Sequence, residues 1–503
     1  MSPNKPPQNI PKAVDPRRWA ALAVVLVASF MDAVDVTVVN MALPRIESGV
    51  GASASQLQWI TGGYALAFAL GLITGGRLGD LFGRRRIFLL GVAGFTLTSL
   101  VCGVSGSPEL LLGGRVAQGA MAALMVPQVL SIIHVTFSER ERGKVFGVYG
   151  AVMALGTVMG PLIGALIVEG DVLGWGWRPI FLVNIPLGIA GLVAGALVIG
   201  ESRAERAARL DVVGVVLAAA GLLALVLPLT QGRELGWPAW TYASMGASVP
   251  LLASFVAWER RLTRRGGSPL VVLSLFSRRS FAGGQGVQLM FGLASGVFFL
   301  SWTLYLQLGL GWSPLRAGLS GLPLSAAMMA GAGLSTQVLV PRFGRVVLQA
   351  GAVLATASML LFLYWASHYG ADIAQWRAIV PLVPMGLGMG LIIAPLTDLI
   401  LSEVPHEHAG SASGLTNTTV QLGQAVGVAL SSVVFFDRLG AGGPADQARR
   451  MPHAFAGSLW YVAGVFATAF VLLFALPRAA GRKPAGTGTR QRSEERREPV
   501  PTA

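Results

Sequence analysis

Apolar runs of roughly 20 residues, broken by short polar stretches, repeat along the whole chain. A helix rises 1.5 Å per residue, so about 20 apolar residues cross the roughly 30 Å hydrocarbon core of a bilayer. The runs lie at about 19–41, 57–76, 87–105, 110–133, 145–168, 179–199, 212–230, 240–257, 281–306, 316–338, 346–366, 377–398, 412–436 and 455–476. The pattern predicts an all-α, polytopic membrane protein with 14 transmembrane helices. Residues 1–18 are polar and Pro-rich, and the first apolar run is too long for a signal-peptide core. That run is therefore expected to remain as the first span.

Charge fixes the expected orientation. Lys and Arg gather on the cytoplasmic side of membrane helices. With the N-terminus inside, 29 of the 38 basic residues fall in inside segments and eight in outside ones, leaving Arg115 alone within a span. The net charge of +14 is thus distributed as orienting charge rather than as a nucleic-acid surface. Both termini are expected in the cytoplasm of a cell (cytoplasmic) membrane protein. Trp19, Trp59, Trp175, Trp177, Trp237, Trp240, Trp258, Trp365 and Trp376 stand at run ends, where indoles favour the headgroup layer. Only 12% of residues are charged, about half the soluble average. A single cysteine, Cys102, excludes an intrachain disulfide. The tail after Arg478 reads as disordered and cytoplasmic.

An internal repeat is visible at one offset. Gly143, Gly147, Gly156 and Gly160 in the fifth run match Gly410, Gly414, Gly423 and Gly427 in the thirteenth, each pair 267 residues apart. The loop after run ten, 341–345 (PRFGR), echoes the loop after run two, 80–84 (DLFGR), with Pro341 in place of Asp80. Two six-helix halves therefore flank an extra pair. The expected divisions are a cytoplasmic tail (1–18), an N-terminal bundle (19–199), two extra helices (200–258), a basic cytoplasmic loop (259–280), a C-terminal bundle (281–476) and a tail (477–503).

A few residues carry chemistry. Asp32 and Asp35 share one face of the first helix. Buried carboxylates are costly and face polar interiors, and two neighbours do not both ionise easily. They serve either to bind and release a proton or attract a cation, or as a static pair orienting helices. Arg115 needs an acidic or carbonyl partner. Depth arithmetic puts Asp35 roughly 24 Å from the inner end of span one and Arg115 about 8 Å from the outer end of span four, similar levels. Gly156, Gly160 and Gly164 form a smooth stripe next to Pro161, suited either to generic helix packing or to a rocking seam between the halves. Tyr64, Gln118, Asn184, Gln285, Gln288, Gln307, Asn417 and Gln421 are polar groups within spans. Tyr64, Gln118, Asn417 and Gln421 are the candidates for a substrate cavity, with interhelical hydrogen bonds as the alternative. His134 reads as interfacial, and Asp398 and Glu403 as solvated. No zinc spacing, catalytic triad or GxxxxGK[ST] phosphate loop is present, so neither metal, cofactor nor ATP is expected, and no enzymatic activity.

Four stretches, MDAVDVTVVNMALP (31–44), GRLGDLFGRRR (76–86), RVAQG (115–119) and GTVMGPLIG (156–164), together with WRPIFLVNIPLG (177–188), closely resemble the fourteen-helix drug:proton antiporters of the major facilitator superfamily. The resemblance covers nearly the whole chain. It implies the major facilitator fold and alternating access around a midplane site. It implies multidrug or antibiotic efflux, including antibiotics made by an actinomycete host, driven by protons. It assigns Asp35, and Arg115, to proton coupling, with Asp32 an addition to the usual pattern. It makes the 76–86 loop an inner gate latch (Gly76, Asp80, Gly83, Arg84, Arg85), in which Asp80 accepts hydrogen bonds from a facing helix end and an Arg. It reads Gly156, Gly160, Pro161 and Gly164 as the antiport motif. The expected partners are a small-molecule drug or antibiotic, protons and the lipid bilayer, with no nucleic acid, in a functional monomer. An uptake symporter on the same fold and a non-transporting membrane protein are the alternatives.

Overall fold

In the computed structural model, residues 16–170, 174–203, 210–232, 235–370, 373–405, 408–439 and 444–476 are described. Residues 1–15 and the 477–503 tail, with the disorder expected there, lie outside the described residues. All regular structure among the described residues is helical. The principal helices are α1 (Arg18–Val50), α2 (Ala54–Phe82), α3 (Arg84–Gly103), α4 (Pro108–Thr136), α5 (Glu139–Glu169), α6 (Asn184–Val198) and α7 (Val212–Gln231). After them come α8 (Ala239–Arg264), α9 (Arg279–Leu304), α10 (Leu322–Leu334), α11 (Val346–Tyr369), α12 (Leu382–Ser402), α13 (Ala409–Leu439) and α14 (Pro444–Leu472). Twelve helical stretches among the described residues are long and apolar enough to cross a membrane. α8 and α13 fall outside that set: α8 ends in Glu259, Arg260, Arg261 and Arg264, and α13 carries the polar run 411–421.

Local chemistry sets the helix ends. Ser53 and Gln56 form a reciprocal capping box that starts α2, and Ser138 with Glu141 does the same for α5. Ser107 caps α4, with Pro108 in the first turn where no N–H is missed. Gly51, at φ +69°, ends α1 in the left-handed conformation. Helices outrun the apolar runs at several ends, α1 and α14 most clearly, because polar turns continue the backbone ladder beyond the hydrocarbon. Outward faces stay apolar: Leu97, Leu166, Leu197, Val249 and Val471 are each more than 60% exposed. A solvated surface does not tolerate such a belt, whereas lipid does.

The packing repeats. In the first half α1 packs on α5 and α6, α2 on α4, and α3 on α4 and α6. In the second, α9 packs on α13 and α14, α10 on α12, and α11 on α12 and α14. Adding eight to each helix number converts one set into the other. Two equivalent seams join the halves, α2 on α13 and α5 on α10. α7 and α8 pack together, and α7 lies against both α2 and α13, on one seam only.

Candidate functional site

Five helices of the first half converge on Asp35. Arg115 Nη1 donates to Asp35 Oδ2 at 2.6 Å, Gln118 Nε2 to Oδ1 at 3.0 Å and Asn184 Nδ2 to Oδ1 at 2.8 Å. Arg115 Nη1 also donates to Gln118 Oε1 at 2.6 Å, and its Nε to the Ile60 carbonyl at 3.2 Å. Ser99 Oγ accepts from Gln118 at 2.7 Å. Asp35, Ser99 and Gln118 have no exposure, and Arg115 and Asn184 have 1%. Charge-assisted bonds of this kind are about twice as strong as neutral ones, and removing one partner of a buried pair costs about 3–5 kcal/mol.

Asp32 sits beside this network in a different state of satisfaction. Among the described residues it receives one bond, from the Tyr64 hydroxyl at 2.5 Å, and it is 5% exposed. The Tyr64 ring in turn faces the Arg115 guanidinium, 4.2 Å from its centroid. Tyr64 therefore bonds Asp32 and faces Arg115, which in turn bonds Asp35.

The second cluster lies at the α2–α13 seam. Asp80 Oδ1 accepts from the Gly410 N–H at 3.0 Å and Oδ2 from the Ser411 N–H at 2.9 Å, at the first turn of α13. A carboxylate there meets unpaired amides and the positive end of the helix dipole. Arg84 Nη2 adds a 2.8 Å bridge to Asp80 Oδ1, with both side chains buried. The backbones touch: a Cβ on Gly76 would come 2.1 Å from the Gly410 carbonyl. Gly76 and Asp80 thus contact the other half, and Arg84 holds Asp80.

Gly83 and Arg85, grouped with them from sequence, belong elsewhere. The Arg85 amide donates to Glu201 Oε1 at 3.3 Å and its side chain to the Ala196 carbonyl. Gly83, at φ +108°, leaves room for the Glu201 carboxylate. Both therefore anchor the start of α3 to the segment following α6, within one half.

The remaining candidates are placed by the fold, some of them against expectation. The Gly156–Gly160–Gly164 stripe does not form a seam between the halves: it faces α1, against Ala33, Thr37 and Met41. The inter-half approach on α5 is made by Gly147, which faces Ala332 and Thr336. Pro161 lies 3.6 Å from the position of a Cβ on Gly318, so it is the motif residue that looks toward the second half. Gln118 and Tyr64 are buried in the charged network rather than lining a cavity. Asn417 bonds its own helix at the Ser413 carbonyl, 3.1 Å away, and Asn417 and Gln421 are half-buried. Gln285 bonds Thr416 at 3.0 Å, joining α9 to α13. His134 is buried rather than interfacial, with Nε2 3.1 Å from the Val404 carbonyl and Nδ1 3.2 Å from Arg142. Asp398 is half-buried, whereas Glu403 is exposed. Ser99 escaped notice, because a lone serine in an apolar helix carries no periodic or charge signal.

Two pseudo-equivalent helical bundles, an intramembrane acid–arginine network and a polar junction between the halves define a membrane transporter. A family model described as Major Facilitator Superfamily matches residues 25–428. The chain belongs to the major facilitator superfamily. It is 43% identical over 425 residues to a probable actinorhodin transporter of Streptomyces coelicolor, spanning 84% of this chain and 74% of that protein. It is 37% identical to the tetracenomycin C resistance and export protein of Streptomyces glaucescens (84% and 77% covered). It is 35% identical to the cephamycin export protein CmcT of Amycolatopsis lactamdurans (93% and 94% covered). Among solved structures it is similar in fold to the human organic anion transporter MFSD10, with a TM-score of 0.64 at 17% identity, covering 91% of this chain and 100% of that one. It is likewise similar to the proton:xylose symporter XylE, with a TM-score of 0.63 at 14% identity, covering 91% and 95%.

Proposed function

We propose that this chain exports a small-molecule antibiotic across the cell membrane in exchange for protons, by alternating access. The relatives named above, a probable actinorhodin transporter and the tetracenomycin C and cephamycin export proteins, support the substrate class. One observation carries the proton mechanism: two acids three residues apart, one accepting three bonds and one a single bond among the described residues, are linked by the Tyr64 ring, which faces Arg115. Asp35 accepts three bonds and serves as the fixed counter-ion of Arg115. Asp32, with the emptier hydrogen-bond shell, exchanges the proton. Protonating Asp32 removes one negative charge beside Arg115 and frees the Tyr64 hydroxyl, and that rearrangement releases a cationic or polar substrate outward. Asn417 and Gln421 on α13 are the polar groups facing substrate. Proton entry supplies about 2.3 kcal/mol per charge per 100 mV, besides the pH gradient.

The reading includes fourteen spans, α8 and α13 among them, with both termini cytoplasmic. It divides the chain into bundles at 19–199 and 281–476, an extra pair at 200–258 and a basic loop at 259–280. The protein works as a monomer, and the Asp80 cluster is the inner latch, broken and remade in each cycle.

The decisive experiment is pH-gradient-driven transport in proteoliposomes beside substrate binding by the same purified variant. Asp32→Asn should bind neutral substrates yet fail to concentrate them. Concentration by Asp32→Asn, with a well-folded Asp35→Asn inactive, would move the proton to Asp35. Normal transport by the single and double variants would place coupling elsewhere. Export in inverted vesicles that survives an uncoupler and follows ATP alone would remove the antiport reading, and transport in the opposite direction would make the protein a symporter.

A further inference from the structure

A second buried acidic pair lies where the extra helices meet the latch. Asp211 caps α7, accepting the Gly214 N–H at 2.9 Å, and Trp258 Nε1 donates to both of its oxygens at 3.0 and 2.9 Å. Glu259, on α8, is fully buried, and its Oε2 accepts the Val271 N–H at 3.1 Å. Its Oε1 is buried without a hydrogen-bond partner among the described residues. It shares one small space with Asp211: Glu259 Oε1 and Asp211 Oδ2 lie 2.6 and 2.3 Å from the same point, where a Cβ on Gly214 would stand. Two acceptor oxygens converging in a dry space have one economical resolution, a proton held between them. Arg77 of α2 lies within electrostatic reach of both Glu259 and Asp80, and its Nε is buried without a bond.

The pair is wired to the latch. Leu270 and Val271 are buried against Ile73, Ala218, Leu222 and Phe255, which ties the linker to α2, α7 and α8. The Leu270 carbonyl accepts from Ser411 Oγ at 2.6 Å, and the Ser411 N–H donates to Asp80. A single path thus runs from Glu259 through Val271, Leu270 and Ser411 to Asp80.

We propose that Glu259 and Asp211 bind one shared proton at the cytoplasmic end of the extra helices, and that the protonated pair clamps residues 270–271 onto α13 and holds the Asp80 latch shut. The regulatory half of this inference rests on the latch reading; the proton site does not. When the proton leaves, two carboxylates face each other with Arg77 as the α2 counter-cation, and Glu259 swings away from Val271. α8 is 26 residues long, about 39 Å, so its last turns project beyond a roughly 30 Å core and Glu259 lies past the apolar 240–257 run. Burial raises the Glu259 carboxyl from 4.5 to about 8; the Val271 and, more weakly, the Leu270 N–H oppose the rise and Asp211 adds to it. The sign follows from linkage. The clamped state binds the proton more tightly, so clamping is favoured at acid pH and weakens as pH climbs from 4.5 to about 8. An acidified cytoplasm would then hold the inner gate closed and throttle further proton entry.

The test uses full-length protein in proteoliposomes. Infrared pH titration should show a protonated-carboxyl band that disappears toward alkaline pH in the parent protein and is missing in Glu259→Gln. Equilibrium substrate exchange, with equal pH on both sides, should then be compared across the same pH range. The ratio of parent to Glu259→Ala rate should fall about fivefold or more toward acid pH, in line with usual allosteric couplings. Glu259→Gln, whose amide donates permanently to Asp211, should stay slow throughout. In an Asp80→Asn background the pH dependence due to Glu259 should vanish. Absence of a band assignable to Glu259 in folded protein overturns the proton site. A band with unchanged exchange ratios, or a ratio that persists in Asp80→Asn, overturns its action on the latch. Parent-like exchange by Asp80→Asn at every pH overturns the latch reading itself and leaves the infrared result standing.

Discussion

The Asp35 and Asp80 clusters use the same chemistry for opposite ends. Each buries a carboxylate against an arginine, at 2.6 and 2.8 Å. The donors to Asp35, Arg115 and Gln118 of α4 and Asn184 of α6, all belong to its own half, so rigid rocking of that half leaves its bonds intact. Two of the bonds to Asp80 come from amides of the other half, so opening that end must break them. A carboxylate saturated from within one body is an anchor, whereas one satisfied across two bodies is a latch. What separates them is which body supplies the donors, not the strength of the individual bonds.

The comparison can be broken at three points. Asp35→Asn should have the largest effect. It strands the Arg115 cation in a site with no exposure, costing about 3–5 kcal/mol. Thermal unfolding in detergent should show a marked loss of stability and expression should fall; a variant as stable as its parent would mean Asp35 is no anchor. Asp80→Asn should be intermediate. An amide of the same size loses the charge at the α13 N-terminus, worth about 1–2 kcal/mol in a buried setting. Insertion should be near normal and stability should fall, because the buried Arg84 also loses its counter-charge, while labelling of cysteines introduced on the inner face should rise as that end opens. Unchanged labelling would leave this loop with charge orientation as its only role. Arg86→Ala should do least. Arg86 is 76% exposed and reaches Glu201 only at 3.6 Å, so stability and transport should stay within about 0.5 kcal/mol of the parent. A large loss there would show that the orienting arginines and the latch arginine cannot be told apart by burial.

The two seams sharpen the same lesson. They are equivalent by the internal repeat, and Gly147 on α5 and Gly414 on α13 both face the opposite half. Yet Pro341 occupies the place of Asp80, and the extra helices cover only the α2–α13 side. The hold on this end of the molecule is therefore one-sided, while the other seam relies on small side chains in contact.

Much of this was legible in the sequence. Apolar run length, the ordering of basic residues and the 267-residue spacing of four glycines are properties of local backbone geometry and of the bilayer, which act on the chain one helix at a time. They fixed the helical class and the internal repeat. The depth arithmetic that put Asp35 level with Arg115 worked because rise per residue does not depend on packing. The tertiary structure decided the rest. Asn184 and Ser99 joined Asp35, Gln118 left the cavity for the ion pair, and His134 turned inward to Val404. The glycine stripe chose α1 over the other half, and an unpaired oxygen of Glu259 came to face Asp211. Each of these depends on how a helix is rotated and tilted against its neighbours. That rotation is set by the joint packing of all the helices, which no periodicity along a single one encodes.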